Sequence, residues 1–117
     1  MLERTEAAIL LDYYGKLLTK RQREVMSAYY EDDLSLAEIA ENLGISRPGV
    51  HDLLRRALTQ LRYLEEQLGL AARDRRRREV IDRLKALTVK LADTDLPTEA
   101  RSYLQELTAE LAKLEQI

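Results

Sequence analysis

The residues best suited to binding chemistry are the arginines in the middle third of the chain. Residues 46–78 carry nine basic and four acidic side chains, a net charge of +5. Residues 1–45 (five basic, nine acidic) sum to −4, and residues 79–117 (five basic, eight acidic) sum to −3. Guanidinium groups donate paired hydrogen bonds to phosphate oxygens and to guanine edges. This basic band between acidic ends could therefore bind a polyanion, although charge balance within a dimer explains the same distribution.

The sequence offers no set of residues suited to catalysis or to metal binding. His51 is the only histidine and cysteine is absent, so no disulfide or thiolate metal site can form. The run Glu31–Asp33 lacks the glycine and the further ligands of a calcium loop, and we interpret it as an acidic surface turn or partner contact. No metalloprotease pattern, phosphate-binding glycine loop or nucleophile elbow is present. We therefore expect a non-enzymatic protein without metal or cofactor.

The segment Leu36–Arg55 has the residue pattern of a helix-turn-helix. Ser35 and Glu38 have the spacing of a capping box, which predicts the start of a short helix. Gly44 can adopt the positive φ that a tight corner needs, and Ser46 can cap the next helix. Apolar residues occur where both helices must face inward: Ile39, Ala40, Leu43, Ile45, Val50 and Leu53. The pattern predicts two helices that cross steeply.

In a DNA-reading helix-turn-helix, the start of the second helix meets base edges while flanking basic residues contact phosphates. Ser46, Arg47 and His51 occupy that start, and the arginine-rich run Arg73–Arg78 adds further charge. Pro48 and Gly49 offer no side-chain hydrogen bond. A helix-turn-helix used only for packing or protein contact therefore stays open. The candidate nucleic-acid-binding residues are Ser46, Arg47, His51, Arg55, Arg56, Arg62, Arg75 and Arg76.

Helical periodicity extends through almost the whole chain, which predicts an all-α protein. We expect helices over residues 3–17, from Thr19, from Ser35 to Leu43, from Ser46 to Leu68, over residues 73–92, and after Pro97. We divide the chain into a helix-turn-helix domain, residues 1–68, and a C-terminal helical arm, residues 72–117. Apolar residues at heptad spacing in the last three helices could close an intramolecular bundle or form the seam of a homodimer. We favour the homodimer.

The segment Leu17–Leu70 resembles the bacterial YlxM-like family of helix-turn-helix proteins, which are similar to sigma factor region 4. The resemblance rests on Leu18-Thr19 with Gln22, on Tyr29–Asp33, on Ser35–Glu41, and on Ile45-Ser46-Arg47 with Val50 and Asp52. It implies a sigma-region-4-like bundle without a wing. It also implies a regulatory protein of the signal recognition particle pathway that acts on, or is made alongside, the particle's GTPase. Our first hypothesis is a nucleic-acid-binding regulator, with DNA favoured over RNA; the alternative is an adaptor that binds the GTPase or the particle's RNA and uses the helix-turn-helix as a scaffold.

No apolar stretch approaches the roughly 20 residues of a membrane span, and charged residues interrupt the apolar residues near the N-terminus. We therefore expect a soluble cytoplasmic protein without membrane insertion.

Overall fold

A computed structural model describes residues 4–117 of the chain, and all regular structure within that range is helical. The prediction of an all-α helix-turn-helix bundle is confirmed. The elements are α1 (Arg4–Tyr14), a short 3₁₀ turn (Gly15–Leu17), α2 (Lys20–Tyr30), α3 (Leu36–Leu43), α4 (Arg47–Leu68), α5 (Leu70–Ala92) and α6 (Thr98–Glu115).

Side-chain caps set the helix starts that the sequence predicts. The Thr19 hydroxyl accepts from the Gln22 N–H at 3.1 Å, and the Gln22 side chain accepts from the Thr19 N–H at 3.1 Å. Ser35 and Glu38 repeat this reciprocal pair at 3.1 and 3.2 Å before α3. Each pair satisfies two backbone donors that have no intrahelical partner.

The corner of the helix-turn-helix is at Gly44, which ends α3 in the left-handed conformation at φ 68°. Its N–H donates back into the last turn of α3. A Cβ at this position would meet nothing within 4 Å, so the requirement for glycine comes from the backbone angle and not from crowding.

The chain divides into two compact units, one ending at Ala71 and the other Ala72–Ile117. The core of the first unit forms where α4 packs against α1, α2 and α3. Its fully buried members include Tyr14, Val25, Met26, Ile39, Val50, Leu54 and Leu61. Whether residues 1–68 and 72–117 behave as separate folding domains stays a prediction.

The first helix ends earlier than expected, and its buried face agrees with the expected one only in part. It ends at Tyr14, and residues 15–17 form the 3₁₀ turn; Glu3, where the expected helix begins, lies outside the described residues. Helical spacing predicts an apolar side with Ile9, Leu10, Tyr13, Tyr14 and Leu17. Leu10 and Tyr14 are buried as predicted, whereas Ile9 and Leu17 are exposed and Ala7 and Leu11 are buried in their place. The tighter 3₁₀ turn shifts the rotational phase of Leu17 away from the core.

In the second unit, α5 and α6 form an antiparallel helical hairpin. Arg77 at one end of α5 donates to the Leu114 carbonyl at 2.7 Å, and Arg101 of α6 donates to the Ala92 carbonyl at 3.4 Å. The hairpin buries Ile81, Thr88, Leu104 and Leu111. The heptad stripe of α5, for which the sequence leaves an intramolecular bundle or a homodimer seam open, is exposed; it comprises Val80, Leu84, Leu87 and Leu91.

Candidate nucleic-acid interface

The start of α4 is fixed by Ser46. Its side-chain oxygen accepts from the Gly49 N–H at 3.0 Å, and its backbone is extended, as an N-cap requires. Pro48 lies in the first turn, where its missing N–H costs nothing. Ser46 therefore sets the direction in which the next residues leave the corner.

Four basic candidates share one face of α4. Because successive residues turn by about 100° and rise by about 1.5 Å around an α-helix, Arg47, His51, Arg55 and Arg62 fall within roughly 80° of one another over a length of about 22 Å. All four side chains are exposed. We call this set the α4 basic face. Part of it borders a shallow groove lined by His51, Arg55, Leu58, Thr59 and Arg62.

The carboxylate of Asp52 forms ion pairs with two of the candidate arginines, Arg55 and Arg56. Its Oδ1 accepts from Arg55 Nη2 at 2.7 Å, and its Oδ2 lies 2.9 Å from Arg56 Nε. The hydrogen bond from Arg55, and then the nearby positive charges of Arg56 and Arg55, hold the pKa of Asp52 below its usual value. Both ion pairs are exposed to solvent, so they orient the guanidinium groups more than they stabilise the fold.

Arg56 lies on a different side of α4 from its neighbour. Its position is about 100° further around the helix than that of Arg55, and it is exposed. The structure thus separates Arg56 from the α4 basic face, although both arginines share Asp52. This one-residue offset offers a matched comparison for any test of binding.

Arg75 and Arg76 are exposed on α5, in the second compact unit. We expected their run to begin a helix, where arginines oppose the helix dipole, and this is wrong because α5 begins three residues earlier, at Leu70. The neighbouring Arg77 donates to the carbonyls of Leu114 and Ile117 at 2.7 and 3.0 Å. It thereby caps the C-terminal end of α6, where a cation is favourable.

Tyr14 and Glu65 form a buried contact that the sequence did not indicate. The Tyr14 side chain is 1% exposed, and its hydroxyl donates to Glu65 Oε1 and accepts from the Leu70 N–H at 3.0 Å. The same carboxylate oxygen accepts from the Ala71 N–H at 3.0 Å. Together they cap the start of α5 and fix the end of α4 against α1. Burial, and then the bond to Glu65, raise the pKa of Tyr14.

Arg4 has a structural role that the sequence did not indicate. Its Nη1 donates to the Tyr29 and Tyr30 carbonyls at 3.1 and 3.4 Å and lies 3.0 Å from Asp33 Oδ1. Its guanidinium is also 5.8 Å from the centre of the Tyr29 ring. Arg4 therefore satisfies the end of α2 and partly neutralises the acidic turn Glu31–Asp33.

Across residues 4–117, no group of three or more histidine, cysteine, aspartate or glutamate side chains could hold a metal ion. Within the same range, every helix is too short or too polar to cross a membrane.

Four packed helices, with a glycine corner between α3 and α4 and exposed arginines along α4, define a helix-turn-helix protein. Residues 1–100 match the model of a family described as "Putative helix-turn-helix protein, YlxM / p13 like", UPF0122. The chain belongs to this family, which confirms the YlxM-like resemblance.

Similar proteins occur in several bacteria. A UPF0122 protein of Symbiobacterium thermophilum is 46% identical over 103 residues, covering 88% of this chain and 92% of its own. One from a Thermoanaerobacter species is 39% identical over 106 residues and covers 91% of each chain. One from Geobacillus kaustophilus is 49% identical over 86 residues, covering 73% of this chain and 78% of its own.

Proposed function

We propose that this chain is a non-catalytic regulatory protein of the cytoplasm that binds nucleic acid through the α4 basic face. The observation that carries the proposal is the alignment of Arg47, His51, Arg55 and Arg62 on one exposed side of the second helix. A helix in this position is the element that enters the major groove in helix-turn-helix complexes.

Each side chain has a proposed part in binding. Ser46 sets the entry of α4, and Arg47 and His51 are near enough to its start to meet base edges. Arg55 and Arg62, about one and three turns beyond His51, contact phosphates on the flank of the groove. Arg56 adds positive charge on another side of α4, and Arg75 and Arg76 add positive charge on α5.

DNA is the favoured ligand because of groove width. The major groove of B-form DNA admits an α-helix, whereas the major groove of A-form RNA is too deep and narrow for side chains to read. The α4 basic face is about 22 Å long, which suits a duplex.

The test compares Arg55→Ala with Arg56→Ala in fluorescence-anisotropy titrations of a random-sequence DNA duplex. Both changes remove one positive charge and one contact with Asp52, but only the first lies on the α4 basic face. We expect Arg55→Ala to weaken binding and to lower the slope of log K against log salt by about 1. Arg56→Ala should leave the slope near that of the unchanged protein.

Equal effects of the two variants would contradict the proposed face. Affinity that stays flat between about 50 and 200 mM salt would contradict nucleic-acid binding by this protein altogether. If binding is found, selection of bound duplexes from a random pool reports whether Arg47 and His51 confer a base preference.

A second candidate function is an adaptor that binds the GTPase of the signal recognition particle, or the particle's RNA. It is favoured by the residues that begin α4, because Pro48 and Gly49 offer bases no hydrogen-bonding side chain and Asp52 is a carboxylate in that same region. The link to the particle is what the YlxM-like resemblance implies. Direct capture of purified GTPase by the full chain, with salt-independent DNA affinity, would favour the adaptor over the DNA-binding role.

A further inference from the structure

The α5–α6 hairpin buries little of its own apolar surface. Only Ile81 and Thr88 of α5, and Leu104 and Leu111 of α6, are buried in it. A second apolar set remains 36–62% exposed: Val80, Leu84, Leu87 and Leu91 on α5, and Tyr103, Leu107 and Leu114 on α6. Two helices in contact can shield only the strip between them, so another surface must cover the second set to bury it.

The exposed set lies on one side of the hairpin. At about 100° per residue, the α5 members are centred roughly 80° from the direction of Ile81 and Thr88, and the α6 members roughly 70° from the direction of Leu104 and Leu111. Both rotations have the same sense. Because the helices are antiparallel, equal senses bring the two sets to the same face. We call this surface the hairpin face.

The two edges of the hairpin face carry opposite charge. Along the outer edge of α5 lie Arg76, Arg83 and Lys90, each seven residues after the last, together with one acidic residue, Glu79, so this edge is basic on balance. Along the outer edge of α6 lie Glu99, Glu106 and Glu110, and Glu110 also pairs with Lys113 at 3.0 Å. All of these edge residues are exposed. Such flanking charges commonly select partner and orientation in helical bundles.

We propose that the hairpin face is covered by the hairpin face of a second copy of this chain, forming a four-helix bundle across a two-fold axis parallel to the helices. This axis sets α5 of each copy against α6 of the other, antiparallel. The basic edge of each copy then meets the acidic edge of the other copy. A two-fold axis across the helices would instead bring α5 against α5 and place like charges together.

The chain itself supplies both halves of the complementarity, which favours a second copy over an unrelated partner. A two-fold interface must be self-complementary, and an apolar strip between one basic and one acidic edge satisfies that condition. Burial of the exposed set in both copies removes on the order of 1,000 Å² from water, near the lower limit for a specific interface. The inference does not depend on nucleic-acid binding.

The first test measures the mass of the full chain in solution, without nucleic acid, by sedimentation equilibrium at several micromolar concentrations. We expect a monomer–dimer equilibrium, and Leu87→Glu should weaken it by at least about tenfold because it places a charge inside the interface. Val89→Glu is the matched control, since Val89 is 64% exposed on the opposite side of α5. It should leave the equilibrium unchanged.

The second test exchanges the charges of the edges. One variant carries Arg83→Glu and Lys90→Glu, and the other carries Glu99→Arg and Glu106→Arg. Each alone has two edges of like charge and should be monomeric, whereas an equimolar mixture should form a heterodimer. The control Arg75→Glu with Arg78→Glu changes the same charge on other sides of α5 and should dimerise normally.

Several results would overturn the proposal. These are a monomeric unchanged protein, dimers that survive Leu87→Glu, or charge-exchanged variants that fail to associate when mixed. Circular dichroism of each variant establishes that the helices remain formed. Should Leu87→Glu unfold, the charge-exchange mixture still decides, because its substitutions are confined to exposed edge residues.

Discussion

A single carboxylate orients two arginines on α4, and this arrangement changes how Asp52 should be understood. From sequence, an acidic residue on a DNA-reading helix is unfavourable because it repels phosphate. In the structure its charge is shared by Arg55 and Arg56 at 2.7 and 2.9 Å. Asp52 therefore competes with phosphate for the arginines while keeping their guanidinium groups ordered. Both ion pairs could have been predicted from the sequence, because Arg55 and Arg56 follow Asp52 by three and four residues, the spacings at which helical side chains meet.

The competition leads to a prediction for Asp52→Asn. The substitution removes one negative charge and releases both guanidinium groups, so we expect duplex DNA to bind several-fold more tightly, with a steeper salt dependence. Fluorescence anisotropy across a salt series measures both quantities. Glu79→Gln, which removes an exposed carboxylate of α5, is the control for net charge. Weaker binding by Asp52→Asn would show that orientation of the arginines matters more than competition.

Tyr14 leads to a second prediction at the same scale. Tyr14→Phe removes the hydroxyl that joins Glu65 to the Leu70 N–H and leaves that backbone donor without its side-chain partner. We expect the free energy of unfolding to fall by about 1–3 kcal/mol, measured by chemical denaturation. Tyr63→Phe, which alters an exposed ring in α4, should have almost no effect. No loss in Tyr14→Phe would mean that the buried hydroxyl contributes nothing.

The raised pKa of Tyr14 also predicts a dependence of stability on pH. Folding favours the neutral phenol, so its contribution is complete below the ordinary tyrosine pKa of 10.0 and is lost as the pH rises through the higher pKa of the folded state. The unchanged protein should therefore lose stability above pH 10 more steeply than Tyr14→Phe. Denaturation midpoints measured across that range test this, and parallel curves would contradict it. Tyr30, whose pKa is also raised by burial, is present in both proteins.

At the scale of elements, the corner between α3 and α4 depends on one backbone conformation. Gly44 has φ 68°, and a Cβ at this position would meet nothing within 4 Å. Gly44→Ala should destabilise the protein by about 1–2 kcal/mol through backbone strain alone. Gly44→Asn should cost less, because asparagine tolerates the left-handed region better. Thermal denaturation of the two variants compares them, and an alanine variant as stable as the unchanged protein would contradict the argument.

Elements defined by local chemistry were predictable from sequence. The capping boxes at Thr19 and Ser35, the corner at Gly44 and the cap at Ser46 each depend on residues within four positions of one another. The start of α5 did not follow such a rule. Its cap comes from Tyr14, 56 residues before Leu70, and no local pattern announces a contact over that distance.

The buried faces of helices were less predictable than the helices themselves. The heptad stripe of α5 left a contact within the chain and a contact with a second copy open, and within the chain α6 covers Ile81 and Thr88, which lie outside the stripe. Similarly, the sequence identified the arginines of α4 but not their division into a shared face and an isolated Arg56. Which of several apolar or basic sides faces a neighbour is decided by tertiary contacts, which periodicity alone does not contain.

At the scale of the whole molecule, self-association should make stability depend on protein concentration. If two copies bury the hairpin face on folding, mass action raises the melting temperature as concentration increases. Calorimetry over a wide concentration range should show this rise for the unchanged protein and for Val89→Glu, but not for Leu87→Glu. A melting temperature independent of concentration in all three would contradict the four-helix bundle.

Two sets of hydrogen bonds hold α1, one made by Arg4 and one by Tyr14, and they have a consequence for the order in which a growing chain folds. Arg4 finds its partners once Asp33 has been made, but Tyr14 finds Glu65, Leu70 and Ala71 only after the whole of α4 has been translated. At synthesis rates of about 5–20 residues per second, the contacts of Tyr14 become possible several seconds after those of Arg4. The corner around Gly44 can therefore form on the ribosome before the contact between Tyr14 and Glu65 does. The first helix to be synthesised is then the last to be fully packed.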